Sequence, residues 1–185
     1  MNQKQKLLLH TCCAPCLTVA QEKLRPNFDL TVFWYNPNIE PEAEHKKRFN
    51  TLTGYLEKID LTLIGRYDYA AENKKWHQFI KGLENEPEGG RRCAKCFEFR
   101  LHETLKNAKE LGYEIFTTTL TTSPFKDTNL INSIGSKSAI DSAVAFQINQ
   151  FGKDGGYQRS IESSKQYGLY RQKYCGCQYS NQEQT

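Results

Sequence analysis

Seven cysteines fall in three tight groups along this 185-residue chain: Cys12, Cys13 and Cys16; Cys93 and Cys96; Cys175 and Cys177. An odd number cannot pair completely as disulfides, and structural cysteines would be scattered through the apolar runs rather than grouped. Grouping points to metal ligation or redox exchange. Cys93-Ala94-Lys95-Cys96 sets two sulfurs on one face of a helix that opens beside Arg91, Arg92 and Lys95. The helix N-terminus and these cations both favour thiolate. Alone, such a pair serves zinc, iron–sulfur or thioredoxin-like chemistry. In Cys12-Cys13-x-x-Cys16 the adjacent side chains diverge, so one metal seldom takes both, whereas two neighbouring sites can share them. A 4Fe–4S cluster takes four thiolates, which leaves three for a mononuclear metal or a redox pair. Two four-cysteine zincs would need more sulfurs than the chain has. Iron–sulfur is the favoured reading, and a single zinc is the plainer alternative. Cys175-Gly176-Cys177 stays open between a ligand pair, a redox disulfide and a surface pair without consequence.

These groups need a scaffold, and the pattern predicts one. Leu7-Leu8-Leu9, Leu30–Tyr35, Leu61–Ile64 and Ile115–Leu120 read as buried strands, being short apolar or β-branched runs. Helices are expected from Pro15–Cys16 to Leu24, Pro41 to Lys58, Ala70 to Leu83, Cys93 to Leu111 and Thr128 to Phe146, with a short one around Ile161–Tyr167. Pro26 ends the first and Gly112 closes the fourth. Alternating strands and helices predict an α/β fold with a parallel sheet, one domain spanning residues 1–185, and an irregular C-terminal extension. Ligands of such sheets bind beyond the carboxyl ends of the strands. The segments His10–Cys16, Asn36–Pro41 and Thr121–Lys126 each follow a strand and are expected to meet on that rim. No glycine stands at the first strand–helix turn, which argues against a phosphate loop and hence against an ATP-using, sulfur-transferring tRNA enzyme.

Composition excludes some classes and leaves others. Hydrophobic residues at 38% and charged residues at 25% support a core and exclude a disordered chain. The formal charge of +4 is compatible with nucleic acid without requiring it. The apolar run after Lys4 and Lys6 stops at His10, too short for a secretion signal, and no run is long enough to span a membrane. A cytoplasmic protein is expected.

The remaining polar candidates carry weaker signals. His45, His77 and His102 lie on predicted helices and read as surface or packing residues. His10, at the rim, either braces the cysteine loop or touches metal or substrate. Ser123, Lys126 and Asp127 offer a hydroxyl, an amine and a carboxylate on the rim, although a loop and a helix cap would use the same residues. Glu44 and Arg48 have the spacing of a solvated helix pair.

Five ordered stretches resemble the epoxyqueuosine reductases of the QueH type: His10-Thr11-Cys12-Cys13-Ala14-Pro15-Cys16; Tyr35-Asn36-Pro37-Asn38-Ile39 with Pro41, Glu44 and Arg48; Cys93-x-x-Cys96 with Arg100-Leu101; Thr117–Leu120 with Ser123–Lys126; and Gly168–Cys177 with Tyr179-Ser180. The resemblance implies a HUP-like fold with cysteines in place of the phosphate loop. It implies a 4Fe–4S cluster with an iron ion beside it, and reduction of epoxyqueuosine to queuosine at the wobble position of tRNA, the last step of queuosine biosynthesis. On this reading Cys12, Cys93 and Cys96 serve the cluster, Cys13 and Cys16 lie near the second metal, and Cys175 and Cys177 are redox or metal residues. Asn36, Asn38, Glu44, Arg48, Ser123, Tyr170 and Arg171 are the expected substrate contacts, and Lys126, Asp127 or a tyrosine the expected proton donor. Trp34, Tyr35 and Phe125 are candidate platforms for splayed anticodon-loop bases, with Arg48, Arg91, Arg92, Lys126 and Arg171 as phosphate contacts. An external donor such as a ferredoxin or flavodoxin supplies electrons. His45 and Phe125 stand where tyrosine is expected. Two rivals from other classes remain: a zinc-stabilised RNA-binding module, and a thiol oxidoreductase acting on proteins.

Overall fold

The computed structural model describes residues 4–65 and 67–181. Five strands form one wholly parallel sheet in the order β3-β2-β1-β4-β5. They are β1 (Gln5–His10), β2 (Phe28–Phe33), β3 (Leu63–Ile64), β4 (Ile115–Thr118) and β5 (Ala145–Phe146). The helices are α1 (Ala14–Leu24), α2 (Glu42–Ile59), α3 (Tyr69–Phe79), α4 (Arg91–Glu110), α5 (Thr128–Ala139), α6 (Gly156–Gln166) and α7 (Gln178–Asn181), with a 3-10 turn at Thr119–Thr122. The architecture is the expected HUP-like α/β layer fold.

The Leu7-Leu8-Leu9 run is apolar at every position because helices cover both faces of the sheet. Leu7 and Leu9 join Leu17, Ala20, Leu52, Tyr55 and Leu56 in a core under α1 and α2. Leu8 points the other way, into a core with Phe97, Leu101, Leu105, Phe116 and Ile131 under α4 and α5. A third small cluster joins Trp76 and Ile80 of α3 to Cys96 and Cys177.

Two expectations about the fold are corrected. The helix predicted to run from Thr128 to Phe146 stops at Ala139, and Ala145–Phe146 instead pairs with Ile115–Phe116 as an edge strand. A turn through Asp141, whose φ is +61°, separates the two. The strand predicted for Ile115–Leu120 ends at Thr118, where the chain tightens into the 3-10 turn.

This topology creates the rim. After β1 the chain builds outward on one side through β2 and β3, then returns across the opposite face to β4, so the switch point lies between β1 and β4. A crossover helix runs antiparallel to its strands and therefore starts at their carboxyl ends. Cys13 is the N-cap of α1, and Cys93 lies in the first turn of α4. Both cysteine groups reach the rim because helices begin there. Among the described residues, no helix is long and apolar enough to cross a membrane.

Candidate metal centre and substrate cavity

The cysteine loop is braced from β2 and from the segments that follow β2 and β4. Thr11 N–H donates to the Phe33 carbonyl at 2.9 Å, Asn36 Nδ2 to the Thr11 carbonyl at 2.8 Å, and Cys12 N–H to Thr119 Oγ1 at 3.3 Å. His10 is fully buried beneath it. Its Nε2 lies 3.2 Å from the Tyr35 carbonyl, which can only accept, so the proton sits on Nε2 and Nδ1 accepts from Thr118 Oγ1 at 2.8 Å. Burial, helped by the Arg100 charge, lowers the His10 pKa to about 4. Both ring nitrogens are used, so His10 is a brace and not a metal ligand.

The sulfurs of Cys12, Cys13 and Cys16 lie within 4.8 Å of one another, with Cys12 and Cys13 3.9 Å apart. Cys13 also caps α1, its sulfur accepting from Cys16 N–H at 3.3 Å. Hydrogen bonds from the other two thiols hold Cys12 well below the usual thiol range. Burial pushes Cys13 up to about 12, and Cys16 rises because it is committed as a donor to its neighbours. Of the three, Cys12 is the thiol whose ionisation the arrangement favours.

The C-terminal group is brought in by a clamp. Arg48 of α2 is 2% exposed; Nε donates to Glu44 at 2.7 Å, Nη1 to the Cys175 carbonyl at 3.0 Å and Nη2 to the Tyr174 carbonyl at 3.2 Å. Tyr170 OH adds a bond to Glu44 at 3.0 Å, and Glu40 N–H reaches the Gly176 carbonyl at 2.7 Å. Gly176 has a φ of +120°, and a Cβ there would lie 2.9 Å from Arg48 Nη1 and 3.0 Å from Ile39 Cγ1. Only glycine allows the chain this turn against the guanidinium.

A cavity of about 450 Å³ opens on the rim, lined by Cys12, Cys16 and Cys175 together with Arg100, Lys126 and Phe125. A smaller one lies behind it, lined by Cys93, Cys96, Cys175 and Cys177, and it shares Arg100, Glu88 and Cys175 with the first. The three cysteine groups are therefore neighbours, through two cavities that share Cys175. Burial works to lower the Lys126 ammonium, but the sulfurs of Cys175, Cys12 and Cys16 outweigh it and hold the group above its usual range.

Several expected contacts take other positions. Asn36 and Asn38 are buried and do not line the cavity. Asn36 holds the cysteine loop, and Glu44 and Tyr170 serve the Arg48 clamp. The Glu44–Arg48 pair is a buried structural tie rather than a solvated one. Trp34 and Tyr35 are core residues: Trp34 Nε1 donates to His45 at 3.1 Å, and Tyr35 OH donates to Glu72 at 2.6 Å, so neither offers a face to a base. Arg92 is buried on the carbonyls of Glu84 and Glu86, and Arg91 pairs with Glu86. Neither Arg91 nor Arg92 lines the large cavity. Ser123, Lys126, Arg171 and Phe125 do line it, and Phe125 is 77% exposed.

Asp127 is exposed, does not line the cavity, and caps α5 by accepting from Leu130 N–H at 2.9 Å. Replacing it with alanine is expected to cost about 1 kcal/mol in denaturant unfolding. Asp127→Asn, which keeps the cap, is expected to leave turnover unchanged. Impaired turnover in a stable Asp127→Asn chain would restore the carboxylate to catalysis.

Arg100 and Gln172 are cavity residues that the sequence reading quoted only as parts of motifs. A signal for Arg100 existed, because it stands four residues after Cys96 and seven after Cys93, on their face of α4.

A fold with cysteines at the switch point agrees with comparison to known proteins. The family model for epoxyqueuosine reductase QueH matches residues 7–183. The chain belongs to the QueH family. Family members named epoxyqueuosine reductase QueH include one from Histophilus somni, 42% identical over 95% of this chain and 72% of its own length. Another, from Thermotoga maritima, is 38% identical over 94% of this chain and 89% of its own. A third, from Staphylococcus epidermidis, is 37% identical over 99% and 79%. Membership in this QueH family makes the chain an enzyme of the reductase class.

The donor set fits an iron–sulfur centre. Thiolates are the soft ligands that such clusters take. The set meets two cations, Arg100 and Lys126, that offset negative charge. Arg100 is 2% exposed, and its Nη2 is buried without a hydrogen-bond partner.

Proposed function

We propose that this chain reduces epoxyqueuosine to queuosine at the wobble position of tRNA, in a reducing cytoplasm, with a 4Fe–4S cluster and an adjacent iron ion. The approach of three cysteine groups to two adjoining cavities that share Arg100 and Cys175 carries this reading. Cys12, Cys93 and Cys96 hold the cluster, and Cys13 and Cys16 lie at the second metal. Cys175, which lines both cavities, and Cys177 complete the sulfur set as ligands or as a redox pair.

The overall change removes the epoxide oxygen as water and leaves an alkene, consuming two electrons and two protons. When bound, the cluster supplies electrons one at a time from an external donor such as a ferredoxin or flavodoxin, and the iron supplies Lewis acidity. The chain's own residues bind and orient. The cavity is large enough for a nucleoside. Phe125, edge-on to Tyr157 with centroids 6.3 Å apart, offers its exposed ring to a base of the anticodon loop. Arg171 lines the cavity while anchored to the Ser160 carbonyl and Ser164 Oγ at 3.1 Å. It positions the sugar–phosphate backbone together with Ser123. Lys126 stands protonated beside the sulfurs and delivers a proton toward the departing oxygen.

Anaerobic reconstitution with iron and sulfide, followed by assay of epoxyqueuosine-containing tRNA with a low-potential reductant, tests the proposal. The expected result is about five irons and four sulfides per chain, with conversion to queuosine. Purified protein holding zinc without iron or sulfide would defeat it.

A further inference from the structure

Among the described residues, Arg100 is the one buried charge that touches both cavities, and nothing in the binding scheme above assigns it a task. Its stem is fixed: Nε donates to the Cys96 carbonyl at 3.2 Å, and the guanidinium lies over the Phe97 ring at 5.7 Å. Its Nη2 is buried and has no protein partner. An arginine that cannot lose its proton is costly to bury, and leaving one of its donors unpaired adds to that cost. The compensation stands around it, since Cys12, Cys93, Cys96 and Cys175 all act on it electrostatically. Lys126, another cation lining the larger cavity, follows the 3-10 turn.

We propose that Arg100 is a positioning residue that raises the reduction potential of the metal–thiolate centre, its free Nη2 donating to a sulfur of that centre. The inference rests on the iron–sulfur reading of the site. Adding an electron makes the centre more negative, and a fixed buried cation beside it favours that form. Hydrogen bonds to cluster sulfurs act in the same direction. Arginine suits the place because its fork can hold Cys96 with one nitrogen while another faces the sulfurs.

The test compares wild type, Arg100→Met and Arg100→Lys after the same reconstitution. The readouts are iron and sulfide content and the cluster potential from a redox titration followed by electron paramagnetic resonance. Methionine keeps the apolar stem and removes the charge. At a fixed solution potential, Arg100→Met is expected to be at least about tenfold less reduced, a shift of about 59 mV for a one-electron couple. Arg100→Lys, which keeps the charge and loses the fork, is expected to fall between the two. Loading of Arg100→Lys but not Arg100→Met would also support the electrostatic role. Equal potentials in wild type and Arg100→Met would overturn the inference. So would loss of iron from both variants alike, which would leave Arg100 as scaffold. Failure of the wild type itself to take up iron would count instead against the iron–sulfur reading.

Discussion

Reconstituted Cys96→Ala is expected to hold no cluster and to show no turnover, whereas Cys16→Ala keeps its acid-labile sulfide and loses one iron per chain. The difference follows from the division of sulfurs proposed above. Cys96 belongs to α4 and lines the smaller cavity, away from the trio at the start of α1. Cys16 lines the larger cavity, the proposed substrate site, and does not line the smaller one. Alanine at Cys96 keeps the small apolar volume packed against Trp76 and Ile80, so the fold survives and the loss is chemical. For Cys16→Ala, losing a Lewis acid worth several kcal/mol lowers turnover by ~10³-fold. Iron and sulfide assays beside single-turnover rates separate the two cases. Equal loss of sulfide in both variants would show that the trio serves the cluster as a unit.

Arg48→Ala is expected to be the most damaging substitution outside the cysteines. It leaves Glu44 as an uncompensated, nearly buried carboxylate and strips the carbonyls of Tyr174 and Cys175 of their donors. Breaking such a pair from one side costs about 3–5 kcal/mol, a fall of roughly 10 °C in Tm for a chain of this size. Removing both charges in Glu44→Gln/Arg48→Met is expected to be milder in thermal unfolding. Both variants should still lose activity, because Cys175 is no longer held at the cavity. If Arg48→Ala unfolded like wild type, the clamp would have no energetic weight.

Much of this was legible beforehand, for reasons that also explain the rest. Leu7–Leu9, Leu30–Phe33 and Ile115–Thr118 are continuous apolar or β-branched runs, and parallel strands covered on both faces require that pattern, although the expected second strand ran on to Tyr35 and the observed one ends at Phe33. The cysteine group that follows the first strand could be placed on the rim by topology alone. The edge strand Ala145–Phe146 was hidden because two residues carry no periodicity, and Ile140-Asp141-Ser142 lacks the glycine or proline that advertises a turn. Glu44 and Arg48 show the same spacing whether solvated or buried. Their burial is imposed by a segment 127 residues away, which no local pattern can report. Trp34 and Tyr35 were misplaced for a related cause. An aromatic at a strand end is equally suited to stacking on a ligand or to filling a core, and Trp34 meets His45 while Tyr35 meets Glu72.

The Arg48 clamp also bears on how the protein matures. Synthesis releases the thiols of α1 and α4 well before Cys175, so until the last segment docks they belong to an unfinished pocket. On the iron reading proposed above, the pocket is completed only once the segment carrying Cys175 has been made, and a chain stopped just upstream of Tyr174 is expected to lack that wall of both cavities.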